Sequence, residues 1–105
     1  MGKEMPRMTT QTLRVLGAFT TSQPDELSGA EIAKRTGLQS GTLYPILFRL
    51  EQAEWLESKW EAGDPSELGR PRRRFYTMTG LGAKSARAAY REVSEMIGGP
   101  VWQHP

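Results

Sequence analysis

The sequence predicts a mainly α fold, a winged helix-turn-helix of three helices and a two-stranded β wing, closed by a C-terminal helix. Three observations predict it. Apolar residues recur at helical spacing in successive stretches between residues 9 and 54. The period then switches to two over residues 55–61 and 72–78, either side of a stretch rich in Gly, Pro, Asp and Ser. Helical spacing returns after Thr79. A tight glycine-containing turn between the second and third helices, followed by a hairpin, is the order of a helix-turn-helix with a wing.

Thr9 or Thr10 opens the first helix, whose apolar stripe is Leu13, Leu16 and Phe19, with Val15 and Ala18 beside it. The turn formers of residues 20–24, ending in Pro24, close it. The second helix begins on a capping box, in which Ser28 accepts from the Glu31 amide and Glu31 reaches back. Ile32 and Ala33 face inward, and Gly37, suited to a left-handed C-cap, stops this short helix. Leu38 then returns to the core.

Gln39, Ser40, Gly41 and Thr42 precede the third helix and offer capping hydroxyls. Leu43, Ile46, Leu47 and Leu50 form its stripe, and Pro45 lies near the start, where a missing amide costs least. The helix is predicted to end between Glu51 and Glu54. On the first strand Leu56, Ser58 and Trp60 share a face. On the returning strand Tyr76 and Met78 share one face and Phe75 and Thr77 the other. Trp55, Trp60 and Tyr76 are assigned to core or hairpin packing. Thr79 caps the last helix, with Leu81, Ala86, Tyr90, Val93 and Ile97 on its apolar face and Ala89 and Met96 alongside. Gly98, Gly99 and Pro100 end it.

The expected organisation is a disordered lead over residues 1–8, a winged helix-turn-helix domain over 9–79, a dimerisation helix over 80–98 and a loose tail over 99–105. The lead has no apolar region of the kind a signal peptide carries, and Met8 offers a second start. A chain of 105 residues is one domain's worth and gains from pairing with a second copy, because small cores bury less of their surface.

Composition excludes several classes. There is no cysteine, so disulfides, zinc–thiolate sites and thiol catalysis are out, and a reducing, cytoplasmic setting fits. No apolar run is long enough for a membrane span. The single histidine, His104, sits in the tail with no metal partners. Ser40, Ser58 and Ser66 have no histidine near them, and Glu51, Glu54 and Glu57 read as a solvated face. A glycine-rich phosphate loop is absent. The expectation is a protein that is not an enzyme and uses no cofactor and no metal.

Net charge is +2 and the pI about 9.2, which alone says little. The position of the charge says more, because Arg70, Arg72, Arg73 and Arg74 cluster where the wing returns. A helix opening on Ser40, Gly41 and Thr42 has small side chains and free amides that favour anions such as phosphates. Gln39 can read adenine, the Thr42 methyl can touch a thymine methyl, and the Tyr44 hydroxyl can donate to a phosphate. Arg70, Arg72 and Arg74 of the wing, with Lys34 and Arg35 at the end of the second helix, complete the expected contact set to double-stranded DNA. Strand alternation sends Arg72 and Arg74 to the side opposite Arg73. Asp64 and Glu67 oppose DNA, so the wing tip is expected to point away or to pair with arginines.

The residues Ser40-Gly41-Thr42-Leu43-Tyr44-Pro45-Ile46-Leu47, followed by Arg49-Leu50-Glu51, resemble the signature on the recognition helix of the PadR family of transcriptional regulators. The resemblance continues through Ser28-Gly29-Ala30-Glu31-Ile32-Ala33, Trp55-Leu56-Glu57-Ser58, Trp60, Gly69-Arg70-Pro71, Tyr76, Thr79 and Gly82, and covers residues 13–90. It implies a DNA contact for Tyr44. Two departures stand out. Ala53-Glu54 replaces a usual glycine turn, so the third helix is expected to end differently. The chain also stops soon after one C-terminal helix, as in the short branch of the family.

The function these features predict is a homodimeric, sequence-specific transcription regulator. A repressor on a pseudo-palindromic operator is expected, with half-sites about 34 Å apart. Leu13, Leu16, Tyr90, Val93, Met96 and Ile97 are the expected dimer interface, with Trp102 as a candidate cap. Two alternatives stay open: a winged helix used as a protein-interaction module, and a sensor with an effector pocket between C-terminal helices, lined by Trp102, Tyr90 or Met96.

Overall fold

The structure, a computed structural model, describes residues 6–20 and 26–98. Helix α1 (Thr10–Thr20) is followed by strand β1 (Glu26–Ser28), helices α2 (Gly29–Thr36) and α3 (Ser40–Gln52), strand β2 (Leu56–Trp60), a short helix α4 (Pro65–Leu68), strand β3 (Arg74–Met78) and helix α5 (Gly80–Met96). The expected turn at Pro24, the stop at Gly99 and Pro100, and the roles weighed for Trp102 and His104 lie outside the described residues.

Local chemistry sets the helix ends. Thr9 caps α1 by accepting from the Thr12 amide at 3.1 Å. The capping box forms as expected, with Glu31 N donating to Ser28 Oγ at 3.1 Å and Ser28 N to the Glu31 carboxylate at 2.8 Å. Gly37 takes the left-handed conformation at φ 75° and its amide closes α2 on the Ala33 carbonyl. Helix α3 behaves differently. Its N-cap is Gln39, which makes no side-chain cap, so the hydroxyls of Ser40 and Thr42 sit inside the first turn.

The other end of α3 carries the departure expected there. Glu54 has φ 65°, the left-handed region that favours glycine. The chain turns there, and Trp55 N bonds back to the Leu50 carbonyl at 2.9 Å. Thr79 Oγ1 accepts from Gly82 N at 2.9 Å and donates to the Glu54 carbonyl at 2.7 Å, tying the cap of α5 to that turn. A Cβ on Gly82 would stand 2.9 Å from the Trp55 carbonyl carbon and still closer to its oxygen. Glycine there lets α5 rest directly on the turn.

The sheet has three antiparallel strands in the order β1-β3-β2. Strand β1 adds to the expected hairpin and was not legible in the sequence, because three residues are too short to show a period. It pairs Leu27 with Tyr76 and Ser28 with Phe75. Ser28 is thus both the last residue of a strand and the cap of α2, which fixes the helix-turn-helix to the base of the wing.

The core lies between the helices and one face of the sheet. It holds Val15, Leu16 and Phe19 of α1, Leu27, Ile32, the α3 stripe Leu43, Ile46, Leu47 and Leu50, and Trp55, Leu56, Tyr76 and Ala86. Each such leucine contributes about 1.5–3 kcal/mol through apolar burial. Met8 packs against this core, so the ordered domain begins within the stretch assigned to the lead. Leu16 is fully buried, which removes it from the expected dimer interface: a side chain sealed in its own core has no face for a partner. Trp55 and Tyr76 are core, as expected, but Trp60 is 59% exposed and packs only on the hairpin surface, through Arg74.

Candidate nucleic-acid interface

Helix α3 buries one face and exposes the other. Ser40, Thr42 and Tyr44 stand in solvent while Leu43, Ile46 and Leu47 hold the helix to the core. Among the described residues, no group accepts from the Ser40 or Gly41 amides. These are the orphan donors a helix start leaves, and they carry the positive end of the dipole. The exposed Gln39 side chain is not spent on capping.

The fold brings part of the predicted set together. A groove of about 390 Å³ runs between the start of α2, helix α3 and the wing, lined by Gly29, Ala30, Tyr44, Trp60, Arg72 and Arg73, with Arg74 and Tyr76 at its floor. Tyr44 therefore meets the wing arginines across this groove. Arg35 does not join them; it lines a separate cleft with Arg14, Gly17, Ala18 and Thr36. Lys34 is exposed near the end of α2.

The four wing arginines divide into two pairs, and not by strand alternation. Arg72 and Arg73 precede β3, which starts only at Arg74, and both are exposed. The other two are engaged within the protein. Arg70 Nη1 and Nη2 donate to the two oxygens of Glu61 at 2.7 and 2.8 Å, a two-pronged pairing of the stronger kind. Arg70 sits after Gly69, whose φ of 72° ends α4 and turns the chain back towards Glu61.

Arg74 is held from three sides. Its Nε donates to Ser58 Oγ at 2.9 Å, its Nη2 to Glu51 at 3.2 Å, and its guanidinium lies 5.2 Å from the centre of the Trp60 ring. Ser58 Oγ also donates to Glu51. Arg70 and Arg74, both expected to contact DNA, are thus each paired with a carboxylate of the chain itself, Glu61 and Glu51. Glu51 is correspondingly not part of a merely solvated face.

The electrostatics follow from these pairings. The hydrogen bonds from Arg70, and then the Arg73 amide, hold the Glu61 carboxyl down at about 2. Glu31 is also lowered, chiefly by the hydrogen bond from the Ser28 amide, with Arg35 and Arg73 adding attraction. Asp64 is taken up by its own helix, accepting from Ser66 N and Oγ at 3.0 Å each. Two residues beside the site were given no role by the sequence: Glu61, which pairs with Arg70, and Phe48, which is 62% exposed on α3. The signal for Phe48 was present: it falls outside the spacing of the buried stripe.

Helix α5 leaves Leu81, Tyr90 and Met96 exposed to differing degrees, with Ile97 just past its end also exposed and Val93 half-buried. The Tyr90 hydroxyl donates to the Leu13 carbonyl at 2.5 Å and lies against Gly17, joining α5 to α1. Among the described residues no group of acidic or histidine side chains is arranged to hold a metal ion, and no helix is long and apolar enough to cross a membrane.

Two helices joined by a glycine turn, with an exposed second helix flanked by an arginine-bearing hairpin, define a winged helix-turn-helix protein of the transcription-regulator class. The chain belongs to the PadR-like family of transcriptional regulators, whose sequence model matches residues 25–88.

Solved structures share the fold. S. aureus MepR, a transcription regulator of the multidrug efflux pump MepA, superposes with a TM-score of 0.67 at 24% identity, over 93% of this chain and 67% of that one. The S. aureus MepR–DNA complex gives 0.65 at 24% identity, over 87% and 68%. B. subtilis PadR in complex with operator DNA gives 0.62 at 17% identity, over 76% of this chain but only 47% of that one. Among curated proteins none matches the sequence.

Proposed function

We propose that this chain is a sequence-specific DNA-binding regulator that acts as a homodimer in the cytoplasm, represses transcription and recognises a pseudo-palindromic operator. The observation that carries the reading is that Tyr44 of α3 lines the same groove as Arg72 and Arg73, while Gln39, Ser40 and Thr42 are exposed at the start of that helix. Small side chains and unpaired amides suit close approach to phosphates, and the two exposed arginines suit the flanking backbone or a narrow minor groove. The DNA complex of MepR and the operator-DNA complex of PadR, proteins of the same fold, support it. A dimer places two such helices on one face of the duplex, and half-sites one helical turn apart are about 34 Å from centre to centre.

The reading predicts a salt dependence. Each phosphate neutralised contributes about 0.9 to the slope of log K against log salt. Gel-shift titrations against the protein's own promoter, repeated across ionic strength, test it. Binding with a steep negative slope that flattens in Arg72→Ala and Arg73→Ala is expected. A slope near zero, or no shift of promoter DNA at any salt, would remove the proposal.

A further inference from the structure

We propose that Phe48 is a specificity-determining residue that reads the 5-methyl group of a thymine in the major groove. This inference rests on the reading of α3 as the DNA-facing helix. Phe48 is 62% exposed, although it is one of the most apolar side chains in the chain. It follows Tyr44 by four residues, so the two stand one above the other on the same face. It cannot turn inward, because Leu43, Ile46, Leu47 and Leu50 already fill the opposite face.

The neighbours of Phe48 decide what it reads. The outward surface through the middle of α3 is Gly41, Tyr44, Pro45 and Phe48, which has no side chain able to grip a base edge with two hydrogen bonds. Ser40 and Thr42 offer single hydroxyls, while Arg49 and Gln52 come only in the last turn. The one carboxylate of the helix, Glu51, is turned to Ser58 and Arg74. Beyond Gln39 at the helix start, this face reads a groove by apolar contact, and the one apolar substituent on the major-groove edges of the four bases is the thymine methyl. Duplex DNA is the favoured occupant over an apolar protein surface because the face is framed by charge: exposed Arg72 and Arg73 on the wing and the unpaired amides of Ser40 and Gly41 at the helix start.

The test uses duplexes selected by the full chain from a random pool. Each thymine of the bound site is replaced singly by deoxyuridine, which deletes the methyl and nothing else. Wild-type affinity is expected to fall about fourfold at one or more thymines, the effect of losing one buried methyl. Phe48→Ala should lose the discrimination at a thymine where Thr42→Ser keeps it, which separates the Phe48 contact from one by the Thr42 methyl, and should keep the wild-type salt slope, since Phe48 carries no charge. Phe48→Leu should retain part of the discrimination. Both variants should melt like wild type, because the side chain is outside the core. If duplexes are selected but wild type ignores every methyl deletion, or Phe48→Ala discriminates at every thymine that wild type does, the assignment is overturned while the DNA-binding reading stands. If the pool yields no bound duplex, both fall together.

Discussion

The Tyr44 hydroxyl occupies the space above Gly29 that a Cβ would need: a methyl there would come within 3.1 Å of the ring carbon bearing that hydroxyl, and closer to the oxygen itself. The first residue of α2 and the Tyr44 side chain of α3 are therefore matched in shape. Gly29→Ala should leave stability within about 1 kcal/mol, since alanine favours the helix and the obstructing atom ends a flexible side chain. It should nonetheless push Tyr44 aside and lower DNA affinity several-fold. Combining it with Tyr44→Phe, which removes the obstructing oxygen, should add less than the two single losses. Denaturant melts and gel shifts on the four proteins of this cycle check it.

Gly82 is a harder constraint. The atom its Cβ would meet is the backbone carbonyl of Trp55, which cannot swing away. Gly82→Ala should cost about 1–3 kcal/mol through forced displacement of α5 from the α3–β2 turn. Urea unfolding should show a lowered midpoint with an unchanged slope.

Glu54 offers the opposite prediction. Its φ of 65° is costly for a side chain bearing a Cβ. Glu54→Gly should raise stability by about 1 kcal/mol, the steric relief outweighing the entropy that glycine loses on folding. The same unfolding measurement reads it.

The Glu61–Arg70 pair makes stability depend on acid pH. The folded carboxyl titrates at about 2, below its ordinary value of 4.5, so the unfolded chain binds the proton more readily. The stabilisation is present above pH 4.5 and is lost as pH falls towards 2. The stability gap between wild type and Glu61→Gln should therefore shrink across that window in a pH series of melts. High salt should weaken it throughout, because the pair is near the surface.

The outer end of α5 tests self-association. Met96 is 78% exposed and Ile97 58%, two adjacent apolar side chains at the end of the helix assigned to the proposed dimer interface. A charge placed by Met96→Asp or Ile97→Asp should convert dimer to monomer in analytical ultracentrifugation and weaken operator binding. Tyr90→Phe, by contrast, should mainly cost the bond to the Leu13 carbonyl, about 1 kcal/mol of stability.

What the sequence determined by itself is what local chemistry controls. The order of elements, the Ser28–Glu31 box, the glycine stop at Gly37, the Thr79 cap and the buried stripe of α3 are written in neighbouring residues, because capping and periodicity act over one or two turns. Strand β1, the pairings of Arg70 and Arg74 and the full burial of Leu16 were decided by the tertiary structure. Each depends on a partner many residues away. Tyr76 gives Leu27 a strand to pair with, and Glu51 reaches an arginine 23 residues further on. An arginine run marks where positive charge is made, but only the folded chain decides which guanidinium groups pair with carboxylates, because Glu51 of α3 and Glu61 beyond β2 reach Arg74 and Arg70 only once the chain has folded.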